Sequence, residues 1–155
     1  MSGNDRIFVF VYGTLKEGYG NSRIIEDLKC STMLGWVKGS LFDLGPYPAY
    51  RMFGDNTIYG EIYELSNPKE ALKRLDRLEG YSVARPEKHN LYNRRKIMVN
   101  IMDDPENSQV ECYIYEFSGR IEELKDDNKI KELVNGIWDP KGYWENNGKE
   151  AENGN

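Results

Sequence analysis

The sequence predicts a mixed α/β or α+β fold in which strands outnumber helices. Two observations carry that prediction: apolar or alternating runs of strand length recur along the chain, and few stretches repeat at helical spacing. A third narrows it, because no period of roughly 20 to 50 residues marks a solenoid or propeller. A chain of 155 residues suits one domain, which can bury a substantial core without disulfide or metal staples.

The first strand is Ile7 to Tyr12, a β-branched and aromatic run that is too short to span a membrane and stops at Gly13. A loop carrying Gly18, Gly20 and Asn21 leads into a short helix at Ser22 to Leu28, with Ser22 as its cap. Gly35 to Leu44 and Asn56 to Leu65 read as two strands. The rigid aromatic loop Gly45-Pro46-Tyr47-Pro48-Ala49 separates them, its prolines and glycine opposing continued pairing.

Asn67 as cap, Pro68 at the first helical position and Glu70 bonding back start the main helix, and Gly80 stops it. Ile97, Val99 and Ile101 alternate, Asp103 to Ser108 turns, and Val110 to Phe117 alternate again, which predicts a hairpin. Ile130, Leu133, Val134 and Ile137 recur at helical spacing, with Asp126 and Asp127 near the start and Gly136 near the end. Residues 1–144 form the expected single domain, and 145–155 the expected disordered tail.

Composition excludes several function classes. Hydrophobic residues make up 39% and charged residues 30%, and no run approaches the roughly 20 apolar residues of a membrane helix, so no membrane role is expected. The first residues lack the features of a secretory signal, which makes the cytoplasm the expected location. Cys30 and Cys112 lie far apart without ligand spacing and His89 is the only histidine, so no structural zinc site is expected. A net charge of −5 opposes nucleic-acid binding, and the basic cluster Arg94-Arg95-Lys96 reads as a solvated strand entrance. The sequence is silent on oligomeric state.

One acid stands out in the main helix. At about 100° per residue, Glu79 falls between Leu75 and Leu72 on the arc that also holds Ala71 and Leu78, opposite Lys69, Lys73, Arg74 and Arg77. Loss of hydration and the negative helix end would both raise its proton affinity, as suits a general base near neutral pH. The alternative is a helix frayed by Gly80, with Glu79 swung to water.

Gly13 and Gly18 have the spacing of a Walker loop, but Tyr19 and Gly20 replace its Lys and Ser/Thr, which excludes a nucleotide P-loop. The amides of Gly13, Thr14 and Leu15 either form a nest for a smaller anion such as a carboxylate or merely end the strand.

Tyr12-Gly13-Thr14-Leu15, Tyr47-Pro48-Ala49, Tyr59-Gly60-Glu61-Ile62-Tyr63, Leu75-Asp76-x-Leu78-Glu79-Gly80-Tyr81 and Tyr113-Ile114-Tyr115 follow one another in a specific order. Together they resemble the gamma-glutamylcyclotransferase-like family. The resemblance implies a small mixed β-barrel with flanking helices. It also implies glutamyl recognition by the backbone of Tyr12 to Leu15, Glu79 as the catalytic acid, and release of 5-oxoproline from a small γ-glutamyl amine or amino acid. Tyr47 and Pro48 would close the rim of the pocket. Tyr113, Tyr115 and Phe117 share a strand face that either walls the pocket or packs in the core. Arg51 and His89 read as surface residues, and Trp138 as a core or docking anchor. The competing class is a non-catalytic module that binds a metabolite or partner on the same fold.

Overall fold

Five alternating or apolar runs pair into one closed sheet. The computed structural model describes residues 5–16, 18–121 and 130–140. Strands β1 (Arg6–Val11), β2 (Lys29–Asp43), β3 (Pro48–Ser66), β4 (Tyr92–Ile101) and β5 (Gln109–Phe117) are ordered β3-β1-β5-β4-β2, and β2 pairs again with β3 to close the barrel. The barrel is mixed, because β1 meets β5 in parallel at Val9 and Tyr113 while the other pairings are antiparallel. Successive residues of β1 enter opposite faces. Val9 and Val11 join Leu65, Ala71 and Leu75, whereas Phe10 and Tyr12 join Ile62, Val99 and Ile114. Burial on both faces explains why this run is continuously apolar rather than alternating.

The predicted hairpin of β4 and β5 forms, with Val99 opposite Val110. The two strands before it are longer than expected. Pairing resumes at Asp43 with Pro48 and Phe42 with Ala49, so the proline loop is only residues 44–47. Pro48 is tolerated because it is the first residue of its strand, a position where a missing N–H is harmless. Farther along, Gly39 pairs with Asn56 and Ser40 with Arg51, leaving residues 52–55 as an insertion. That insertion hid the first half of β3 from the sequence pattern.

Helix α1 spans Pro68–Glu79, and Gly80 ends it in the left-handed region at φ 65°. Asn67 stands at the expected start but does not cap: its φ is 50° and its side chain makes no capping bond, while Glu70 turns to Arg74 at 3.0 Å. The helix holds instead by burying Ala71 and Leu75. Ser22 is no cap either, because the segment Gly20–Leu28 is a 3₁₀ helix that starts earlier and buries Ile25 and Leu28.

The helix expected around Ile130 to Ile137 is not observed in the described part of that stretch. Lys131–Glu132 forms a short strand, β6, against Asp43 and Phe42. The Leu133 N–H donates to the Leu41 carbonyl at 2.8 Å, and the Tyr59 N–H to the Gly136 carbonyl at 2.9 Å. These backbone bonds to β2 and β3 override the helical spacing. Asp126, Asp127 and the tail from 145 lie outside the described residues. No helix among the described residues is long and apolar enough to cross a membrane.

Candidate active site

The end of β1 delivers backbone donors to a cavity. After Tyr12 the chain turns, and the Lys16 N–H donates to the Gly13 carbonyl at 3.0 Å. Asn21 grips the turn twice, through its N–H to the Thr14 carbonyl at 3.1 Å and its Nδ2 to Thr14 Oγ1 at 2.8 Å. The Tyr63 hydroxyl donates to the Leu15 carbonyl at 3.0 Å. The carbonyls of the turn are thus occupied, while the amides of Gly13, Thr14 and Leu15 donate to none of the described residues. Successive unoccupied amides of this kind attract anions. Gly13 presses on the proline loop so closely that a Cβ there would stand 2.6 Å from Pro48 Cγ.

These amides line a cavity of about 370 Å³ whose wall includes Glu79. The helix does not fray before that residue, because the Gly80 N–H reaches the Arg77 carbonyl at 3.4 Å and the Tyr81 N–H reaches the Asp76 carbonyl at 2.9 Å. Among the described residues none gives the Glu79 carboxyl a hydrogen bond or ion pair. Burial alone pushes its pKa up to about 7. Asp76, one turn earlier, has the opposite surroundings: it accepts the Tyr115 hydroxyl at 2.7 Å and pairs with Arg94 at 2.6 Å. One helix end therefore holds a committed structural acid and an uncommitted one.

Three phenols surround the uncommitted acid. Burial, and then the charges of Tyr92 and Glu79, raise the Tyr12 phenol well above its usual value. Burial followed by Glu79 does the same for Tyr92. Tyr115 is raised by burial, by its bond to Asp76 and, more weakly, by Glu79. All three hydroxyls are fully protonated donors near neutral pH, and each is already aimed. Tyr12 donates to the Tyr115 carbonyl at 2.5 Å and Tyr92 to the Pro48 carbonyl at 2.6 Å.

The structure brings Tyr12, Gly13, Thr14, Leu15, Tyr47, Pro48, Tyr115 and Glu79 to this one cavity. Tyr113 is not in its wall. It lies opposite Val9, four residues before Gly13 and about 13 Å down the barrel at strand rise. There it borders a separate depression with Arg6, Phe8 and Lys96, beneath the side chains of Arg94 and Lys96. Phe117 supports the wall by packing edge-on against Tyr92, with ring centroids 5.5 Å apart. The sequence reading missed Tyr92, Asn21 and Leu91. Tyr92 precedes the alternation that marked β4, and its place opposite Phe117 becomes visible only once the two strands are paired. Arg51 bonds the Phe117 carbonyl outside the cavity, His89 is exposed, and Trp138 is buried. Among the described residues no three His, Cys, Asp or Glu side chains gather to hold a metal ion.

A closed mixed barrel that gathers these amides and the Glu79 carboxyl, without partners among the described residues, around one small cavity defines a small-molecule-binding domain. The chain belongs to the family described as gamma-glutamyl cyclotransferase, AIG2-like, whose pattern matches residues 9–140. It is 37% identical over 99 residues to the gamma-L-glutamyl-butirosin B gamma-glutamyl cyclotransferase of Niallia circulans, a match covering 61% of each chain. A second relative, from Vibrio cholerae, is 35% identical over 79 residues, and the chain spans 64% of its length. The chain therefore spans somewhat less than two thirds of these curated relatives. The crystal structure of an AIG2-like protein from Mus musculus superposes with a TM-score of 0.62 at 25% identity, over 78% of this chain and 84% of that one. YkqA from Bacillus subtilis shares the fold, with a TM-score of 0.61 at 21% identity over 92% of this chain and 43% of its own.

Proposed function

We propose that the chain is a cyclotransferase that releases 5-oxoproline from a γ-glutamyl amine or amino acid. The observation that carries this reading is the meeting in one cavity of the Glu79 carboxyl and the amides of Gly13 to Leu15, which have no partner among the described residues. The substrate α-amine attacks its own γ-carbonyl carbon, so that one C–N bond forms, closing the lactam, and the bond to the departing amine breaks. Glu79 takes the proton from the attacking nitrogen and returns it to the leaving one. The amides hold the α-carboxylate or stabilise the developing oxyanion.

Nucleophile and electrophile belong to the same molecule, so the chemistry itself calls for no cofactor. The main contribution is to hold a folded conformer, since well-oriented intramolecular reactions reach effective molarities on the order of 10⁵ to 10⁸ M. A Glu79 pKa of about 7 matches the work of a residue that must both accept and return a proton near neutral pH.

The purified chain is expected to release 5-oxoproline from at least one member of a panel of γ-glutamyl dipeptides and γ-glutamyl alkylamines. Release from none of them would overturn the reading in favour of a non-catalytic binder. Gly13→Ala is expected to lower kcat/KM for the best substrate on the order of 10²-fold, because its methyl group must displace Pro48 or the amide turn. Steady-state kinetics on the folded variant checks this, and wild-type values would show that the turn does not position the substrate.

A further inference from the structure

The cavity has two walls that come from distant parts of the chain. One is the amide turn of Gly13 to Leu15; the other is the proline lip of residues 44–48, which lines the cavity through Pro46, Tyr47 and Pro48 and is closed by the Leu44 N–H donating to the Tyr47 carbonyl at 3.1 Å. They touch directly at Gly13 and Pro48. A third segment joins both walls from behind without lining the cavity itself.

That segment follows β6 and runs from Leu133 to Asp139. Lys16, the residue after the amide turn, is fully buried, and its Nζ donates to the Trp138 carbonyl at 2.5 Å. Burial lowers the Lys16 ammonium to about 8, opposed by the charges of Asp139 and Glu61. Tyr19, just beyond the turn, stacks against Trp138 with ring centroids 5.1 Å apart and donates its hydroxyl to Asp139. On its other side the Trp138 indole donates through Nε1 to Asp43 Oδ1 at 3.3 Å. The same oxygen accepts the Gly45 N–H at 2.8 Å, which is the first bend of the lip. Trp138 is buried, and its segment is tied to the barrel by the Leu133 and Gly136 backbone bonds.

A buried lysine is costly unless its donors are used. Here one of those donors reaches across 122 positions of sequence to the Trp138 carbonyl. We infer that residues 133–139 form a strap in which Trp138 fixes the amide turn and the proline lip relative to one another, making Lys16 and Trp138 positioning residues for the bound γ-glutamyl group. The inference rests on the cyclotransferase reading for its functional consequence, and on the geometry alone for the coupling of the two walls.

Amide hydrogen exchange separates the coupling from the activity. Trp138→Phe keeps a smaller aromatic ring against Tyr19 while removing the indole N–H that faces the lip, together with part of the buried ring volume. Exchange is expected to speed up by roughly threefold or more not only at Leu44 and Gly45 but also at Lys16 and Asn21 on the far wall. Lys16→Met is expected to do the reverse, loosening Leu44 and Gly45. Because the two contacts act in series through one residue, the double variant should match the larger single effect rather than the product. Where the wild type turns over a γ-glutamyl substrate, both variants should raise its KM with kcat within about twofold, whereas a purely structural role would lower the melting temperature and leave KM unchanged. Should Lys16→Met fail to fold, Trp138→Phe alone decides. Exchange changes confined to the lip, or an unchanged KM in an active folded variant, would overturn the strap. A wild type that releases no 5-oxoproline would overturn the activity, while the exchange result still decides the strap.

Discussion

Glu79→Gln is expected to reduce turnover of the best γ-glutamyl substrate by roughly 10²- to 10⁴-fold, with KM changed by no more than about threefold. The substitution keeps the shape of the side chain and its place at the end of α1 while removing the group that takes the proton. Glu79 has no described partner whose loss would disturb the fold, so the effect isolates proton transfer. Wild-type kcat/KM should rise with pH through an apparent pKa near 7, because only the ionised carboxylate accepts the proton of the attacking amine. Turnover by the variant at the wild-type rate would exonerate Glu79 and leave the cavity without a base.

The same substitution should have the opposite effect on stability, one that grows as pH rises from 4.5 to about 7. Unfolded, the Glu79 carboxyl titrates near its ordinary value of 4.5; folded, burial raises it to about 7. Between these values the unfolded chain has released a proton that the folded chain still holds, so stability falls as pH rises. It is greatest below pH 4.5, falls across the interval and levels off above about 7. The total loss is up to about 3 kcal/mol, a ceiling that the partial exposure of Glu79 reduces. Glutamine carries no charge to desolvate. Thermal unfolding at pH 8 should therefore show Glu79→Gln melting above the wild type by several degrees, on the order of 2–4 °C per kcal/mol for a chain of this size. The difference should vanish by pH 4.5. A difference that did not vary with pH would mean that the carboxyl is not held out of water as described. Activity and stability pulling apart at one residue is the expected mark of a group retained for chemistry.

Much of the fold and part of the cavity wall were legible in the sequence, and the particular successes and failures have physical causes. The inward place of Glu79 was legible because a 12-residue helix with leucines on one arc leaves little freedom in where its neighbours point. Gly80 fixed the end of that helix because few residues other than glycine adopt a φ of 65°. The amide turn was legible for a similar reason: a buried strand stopping at Gly13 has to place its next donors somewhere. Asn67 misled because its cap chemistry was complete in sequence, yet burial of Ala71 and Leu75 sufficed and its side chain makes no capping bond. Ile130 to Ile137 misled because helical spacing over eight residues is a weak local preference, and backbone bonds to Leu41 and Tyr59 outweigh it. Tyr113 shared a face with Tyr115 as alternation required, but two residues of strand rise place it outside the cavity wall. Tyr92, Asn21 and the role of Trp138 were beyond reach, since each depends on contacts 7 to 122 positions away that no local pattern encodes.

The central claim is that one small guest is held by the turn's amides while Glu79 reaches its amine. A crystal structure of Glu79→Gln with an intact γ-glutamyl substrate tests it most directly. The account predicts a glutamyl group with a carboxylate or carbonyl oxygen about 3 Å from the amides of Gly13 to Leu15, and its α-amine within hydrogen-bond reach of the side chain at position 79. A guest bound elsewhere on the barrel, or one in this cavity with its amine turned away from position 79, would contradict it.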